Sequence, residues 1–538
     1  MAASPESAPV DFLLKGGTVV DGTGAPPVAA DVAVAGGRIL EVGPTLGLTA
    51  AETLDVSGLL VSPGFIDIHS HSDFTLTVDP RAVSSIAQGV TLEVVGNCGH
   101  GCAPVVDPEA VKGNVYGFSE EHPIHWGTVA EYLDVLEAGG PAVNVLTLVP
   151  NGNLRLAAAA DLDRSSTPAE LSRMESLLEQ GLEEGAFGFS TGLEYGPEQA
   201  CSEEEVTRLC RATARAGGFY ATHTRNRAGQ ARETVAEAIR TAEAAGVPLQ
   251  ISHISVVARL AEDGGRAVAE AVEQVQAARR RGVDAGFDMH TRLFGTTNLS
   301  AVLPPEALAG SRGEIAARLS GATARRELKS YPSILHALAR DDWGRILLTG
   351  CSDPELCHRS VAEVAEARGL EPLDAVYDLL LEEIDDLHRP MILAFCYREE
   401  EIRPAFEHPD CMVGSDATAL APDGPLARSV FHGAYTWAAW FYRHFVTDLG
   451  LLRPEEAVRR LTSLPAERLG LADRGRVRPG AWADLAVLEP EGFAERGTTR
   501  DPNRTAAGVR HVLVNGRMAL RDGALTAERA GRVLRRAG

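Results

Sequence analysis

Between residue 62 and about residue 470, short apolar runs alternate with longer amphipathic stretches. Thr91–Val95, Val143–Val149, Ala186–Ser190, Gly218–Thr222, Leu249–Ser252, Arg345–Thr349 and Cys411–Gly414 have the length and residue types of buried strands. Pro168–Glu184 and Ser202–Ala216 place apolar residues at helical spacing. Strand-helix alternation over such a length predicts a parallel α/β sheet, either doubly wound or closed as a (β/α)8 barrel. Residues 292–342, with Pro304-Pro305 and a long helical stretch, break the alternation and read as an insertion. Both ends of the chain switch to period two. Leu13-Leu14, Thr18–Val20, Asp31–Val34 and Arg38–Val42 are separated by glycine turns, which suggests a small antiparallel sheet. Gly480–Leu488 reads as a strand, and Val509–Val514 followed by Asn515-Gly516 as a hairpin. The economical organisation pairs residues 1–61 with 471–538 in one small β domain beside an α/β body over 62–470.

At 538 residues the chain exceeds one ordinary core, in line with that division. Hydrophobic residues make up 45%, and the net charge is -23 from 74 acidic and 51 basic side chains. Without a Lys/Arg stripe, this balance argues against nucleic acid or an anionic membrane surface as partner. No apolar run approaches the roughly 20 residues of a bilayer span. Met1–Phe12 lacks a basic start with an apolar core, so no signal peptide is expected. Eight scattered cysteines suit reduced thiols in a cytoplasm. No GxGxxG follows the first strand and no P-loop is present, which turns attention from nucleotides to other chemistry.

That chemistry collects at strand ends. In Val61–Asp73 an extended chain would place Asp67, His69 and His71 on one face, behind the apolar Phe65, Ile66 and Ile68. Two imidazoles and a carboxylate are costly to bury uncompensated, and a divalent metal is the natural partner. Thr91–Gly99 ends in a glycine-flanked Cys98, Phe219–Arg225 places His223 at a strand end, and Leu249–His253 does the same for His253. Asp416 closes the strand in Met412–Asp416. Each residue alone suits a core or rim position; together they point to a metal site.

The motifs GFIDIHSHSD, GNCG, GFSTGLEY, YATHTR, QISH and GSDA resemble the D-aminoacylase (N-acyl-D-amino-acid deacylase) branch of the amidohydrolase superfamily. RGRVRPGAWADLAVLEP and HVLVNGR are similar to its C-terminal strands, so the resemblance spans nearly the whole chain. It implies a (β/α)8 TIM-like barrel with a small β-sandwich built from both termini, and a zinc-dependent hydrolase of a linear amide in a small N-acyl substrate. Cys98, His223 and His253 would hold a tightly bound zinc, and His69 and His71 a weaker second site, with Asp416 near both. Asp416 would relay the proton between water and the leaving nitrogen, and Asp67 would be a supporting acceptor for an imidazole.

The substrate end departs from the family. Ser255 stands where the family has a lysine, and His290-Thr291-Arg292 replaces tyrosine-proline-tyrosine. Leu426-Ala427-Arg428 replaces histidine-proline-arginine. The family lysine, tyrosine and arginine resemble a clamp on the substrate carboxylate. Here Arg292, suited to bidentate binding, would stand in for the lysine replaced by Ser255, and Arg428 would retain the family arginine's role. The alternative is a carboxylate-free substrate, a cyclic amide or another C–N compound.

Overall fold

A computed structural model describes residues 10–118, 121–226, 230–256, 264–339, 342–387 and 389–536. Residues 1–9 of the Met1–Phe12 stretch, where no signal peptide is expected, lie outside them.

Strands β1 (Val10–Val19), β2 (Val28–Ala35), β3 (Arg38–Gly43), β4 (Ala50–Asp55) and β5 (Leu60–Pro63) open the chain. β1 pairs antiparallel with β2 but parallel with β4 and β5, so the sheet expected to be antiparallel is mixed. At Gly64 the chain leaves this sheet. A Cβ there would lie 2.2 Å from Thr91 Cγ2, so the close approach needs glycine. β5 thus ends at Pro63, and β6 (Phe65–Asp67) begins a second sheet and stops short of His69 and His71.

β6, β7 (Val90–Val95) and β8 (Asn144–Thr147) pair in parallel. β9 (Val149–Pro150), β10 (Gly188–Gly192), β11 (Phe219–His223), β12 (Leu249–Ile251) and β13 (Ala285–His290) form a parallel run that ends on β17 (Cys411–Gly414). Only Leu148 separates β8 from β9, and its N–H bonds to Val95 O at 2.9 Å. At the other end Asp416 N bonds to His69 O and His71 N to Ala417 O, both at 2.8 Å, which ties β17 to β6. Every residue of these strands is buried, the pattern of a sheet covered on both faces. The helices that cover it are capped in sequence. Thr167 and Glu170 form a capping box on Pro168–Glu183, whose Leu171, Met174, Leu178 and Leu182 make a buried stripe at helical spacing.

β14 (Gly295–Asn298), β15 (Ile346–Thr349) and β16 (Met391–Ala394) form a separate antiparallel sheet in the order β14-β16-β15. The strand expected at Arg345–Thr349 thus exists, but outside the parallel alternation. All three strands of this sheet fall between β13 and β17 in the chain.

β18 (Leu485–Leu488), β19 (Val509–Val514), β20 (Arg517–Arg521) and β21 (Ala524–Leu525) return to the first sheet, where β18 pairs with β5. Nine strands from both termini share it. The Asn515-Gly516 turn has φ of 48° and 75°, the two positive values of a tight hairpin. Beyond β21 the tail crosses back to the parallel strands: Val145 N bonds to Arg532 O and Leu534 N to Val145 O.

Candidate metal centre

The C-terminal ends of the parallel strands gather the residues singled out above. His69 and His71 lie just past β6 and Cys98 past β7. His223 ends β11, His253 follows β12, and Asp416 follows β17. Cys98, His253 and Asp416 have positive φ (54°, 32° and 46°). This conformation costs a non-glycine residue on the order of 1–3 kcal/mol and is retained where the surroundings demand it. Here it turns each side chain inward at a strand end.

One donor atom each from His69, Cys98, His253 and Asp416 lies within 4.8 Å of the others. Cys98 Sγ is 3.1 Å from His69 Nε2 and 3.5 Å from His253 Nε2, and His69 Nε2 is 3.6 Å from Asp416 Oδ1. His71 Nε2 joins through Asp416 Oδ1 at 3.2 Å. His223 stands beside this group, its ring centroid 4.6 Å from that of His253, but its Nε2 is turned to Glu194 Oε2 at 2.9 Å.

Burial alone would raise the Cys98 thiol, yet the imidazoles of His69, His253 and His223 bring it well below its ordinary value. Burial likewise opposes ionisation of Asp416, and Arg292, His71 and the neighbouring histidines hold it well below the carboxylate range. Burial pulls His71 down, but Asp416 and Cys98 override it and raise the imidazole to about 9. A thiolate and a carboxylate are thus kept anionic among imidazoles, which is the protonation state that metal binding requires of the two acids. Donors held about 2.0–2.3 Å from a tetrahedral zinc lie roughly 3.3–3.8 Å apart. The spacings of 3.1, 3.5 and 3.6 Å are close to that range, so the donor set fits a divalent metal in both chemistry and size.

A model of the amidohydrolase family matches residues 52–324 and 359–519. The chain belongs to the amidohydrolase family. It is 33% identical to the D-aminoacylase of Alcaligenes xylosoxydans xylosoxydans over 539 residues, covering 99% of both chains. To the N-acyl-D-glutamate deacylase of the same organism it is also 33% identical, over 98% of this chain and 97% of that one. A crystal structure of D-aminoacylase superposes with a TM-score of 0.80 at 33% identity, over 98% of this chain and 100% of that one. The N-acyl-D-glutamate deacylase of Bordetella bronchiseptica, solved with zinc and a phosphonate mimic of the tetrahedral intermediate, gives 0.81 at 31% identity over the same shares. This amidohydrolase therefore has the mixed α/β fold of the D-aminoacylase structures.

Support for the metal group in this amidohydrolase comes partly from residues the sequence reading passed over. Asp288 accepts from His69 Nδ1 at 3.1 Å, from His253 N at 2.8 Å and from Gln250 Nε2 at 2.8 Å. It fixes the His69 ring with Nε2 toward Cys98. Asp67, expected to orient an imidazole, instead accepts the backbone N–H groups of Ser415 (2.9 Å) and His69 (3.2 Å). Burial and the nearby Glu93 raise its carboxyl to about 8. The lone acid inside the apolar AGFDMH of β13 was the available signal for Asp288.

The expected substrate residues do not assemble into an open clamp. Arg292, 4% exposed, bonds to Asp416 Oδ2 at 2.8 Å, to Asp416 O and to His432 O. Ser255 is buried with its hydroxyl 3.2 Å from that of Tyr397, and Arg428 lies exposed on its loop.

Proposed function

We propose that this amidohydrolase is a zinc-dependent hydrolase that deacylates an N-acyl-D-amino acid or a related small N-acyl compound. The carrying observation is the buried group of His69, Cys98, His253 and Asp416, within 4.8 Å, in a chain one-third identical to D-amino-acid deacylases. Cys98, His253 and His223 would hold the tighter zinc, while His69, His71 and Asp416 would line a second position. When bound, zinc supplies polarisation of the scissile carbonyl and a more acidic attacking water. Asp416 moves the proton. Its Oδ2 is tied to Arg292, which leaves Oδ1, beside His71 Nε2, to accept the water's proton and pass it to the leaving nitrogen.

The frame for this chemistry is a (β/α)8 barrel over residues 62–470 in which β6, β7, β8/β9, β10, β11, β12, β13 and β17 close into a ring. Supporting it are the single residue between β8 and β9 and the bonds from β17 back to β6. The terminal strands, β1–β5 and β18–β21, double over into a small sandwich. Leu14 and Val32 share a core with Leu513 and Met518 from the other side of the strand order. All eight cysteines are free thiols, which suits a reducing cytoplasm, and no described helix is long and apolar enough to cross a membrane.

The test is a panel of N-acyl-D- and N-acyl-L-amino acids with zinc-replete protein. D-selective release of amino acid, abolished by chelator and restored by zinc, is expected; zinc-replete protein that hydrolyses no N-acyl compound overturns the reading. Ser255 in place of a lysine and the engagement of Arg292 by Asp416 favour a second reading, a carboxylate-free amide or cyclic substrate. Turnover of an N-acyl amine lacking the carboxylate, with none of the D-acids, would select it.

A further inference from the structure

We propose that Glu194 is a positioning residue that decides which nitrogen of His223 is presented to the metal; this rests on the zinc reading above. β10 and β11 pair with Gly192 opposite His223, and Leu193 N bonds to His223 O at 3.2 Å. The register brings Glu194, two residues past Gly192, back over the end of β11. Its Oε2 lies 2.9 Å from His223 Nε2, and both side chains are only 7% exposed. An ionised carboxylate at this distance accepts, which favours the tautomer with the proton on Nε2 and the lone pair on Nδ1. Nδ1 lies 3.5 Å from the hydroxyl of Tyr195, which donates to Cys98 O at 2.9 Å, so the unprotonated nitrogen faces the Cys98 loop. His223 is thereby set to ligate through Nδ1, while His253, whose Nε2 faces Cys98, is set to ligate through Nε2.

Carboxylates that fix a ligating histidine this way contribute about 10–100-fold to metal affinity. Zinc affinity is measured by chelator competition on wild type, Glu194→Gln and Glu194→Leu. The Gln variant keeps an acceptor oxygen and stays within about threefold of wild type. The Leu variant keeps the bulk without the acceptor and binds zinc about 10–100-fold more weakly. Wild-type affinity in a folded Leu variant overturns the proposal. Wild-type protein that takes up no zinc overturns the zinc reading, and this proposal with it. A second measurement needs no change at 194: nitrogen-15 spectra of histidine-labelled, zinc-loaded wild type, with His223 assigned by its loss in His223→Gln. A proton on Nε2 and a metal-shifted Nδ1 are expected, and a proton on Nδ1 overturns the proposal.

Discussion

Arg292→Met probes how the proton-handling carboxylate is held. The guanidinium is 4% exposed and the Asp416 carboxylate 22%, with Nη2 and Oδ2 2.8 Å apart. Two unit charges about 4 Å apart attract by roughly 4 kcal/mol at an effective dielectric of 20. Removing one partner of such a buried pair costs about 3–5 kcal/mol, most of it the penalty of the charge left behind. His71 Nε2, 3.2 Å from Oδ1, compensates part of that charge, so about 3 kcal/mol is the expected loss. Methionine retains apolar contact with Phe294 and Phe431, whose ring centroids lie 5.9 and 5.5 Å from the guanidinium carbon. Bonds to the His432 and Asp416 carbonyls are lost as well, so the single variant alone does not isolate the pair. A double-mutant cycle with Asp416→Asn does. Urea unfolding of zinc-free protein at pH 7 is expected to give a coupling of about 2 kcal/mol, with Arg292→Met far milder when Asp416→Asn is already in place. Additivity within about 0.5 kcal/mol would refute the reasoning.

Three further outcomes are expected. Asp288→Asn replaces an acceptor of three N–H groups by a side chain with one acceptor oxygen, so zinc affinity at the His69-lined position falls about 10–100-fold in chelator competition; an unchanged value there would place His69 outside the metal's support. Deleting residues 529–538 removes the tail that bonds to Val145 and buries part of Leu534, which lowers the thermal midpoint by several degrees and leaves 25 °C turnover intact; an unchanged midpoint would show the tail to be ornamental. Burial raises the Glu198 carboxyl from 4.5 to about 8, so the fold binds this proton more tightly than the unfolded chain does. Its contribution is complete below pH about 4.5 and is lost as pH rises toward 8, so Glu198→Gln should flatten the fall in thermal midpoint between pH 5 and 8; a slope equal to wild type would mean the group is ionised in the fold.

Features encoded in a few adjacent residues were legible in the sequence. The Asn515-Gly516 hairpin needs two positive φ values, which that dipeptide supplies locally. Cys98, His253 and Asp416 could be found because each follows a buried apolar run, and the fold does bring their donor atoms together. Partners set by strand register were not legible. Glu194 meets His223 only because Gly192 pairs opposite it, and Asp288 reaches His69 across the sheet from a distant strand. Arg292 read as a free clamp because its pairing with Asp416 depends on two loops far apart in the chain. Arg345–Thr349 read as part of the parallel sheet because an apolar run looks alike whether its neighbour runs parallel or antiparallel.

The central claim, that the strand-end cluster holds a catalytic zinc, is tested most directly by elemental analysis and N-acyl-D-amino-acid turnover on the same preparations of wild type and Cys98→Ala. Wild type is expected to carry at least one zinc per chain and to lose and regain turnover with chelation and zinc. Folded Cys98→Ala should carry little zinc and turn over substrate at least about a hundredfold more slowly. Full zinc occupancy and wild-type turnover in Cys98→Ala would contradict the account.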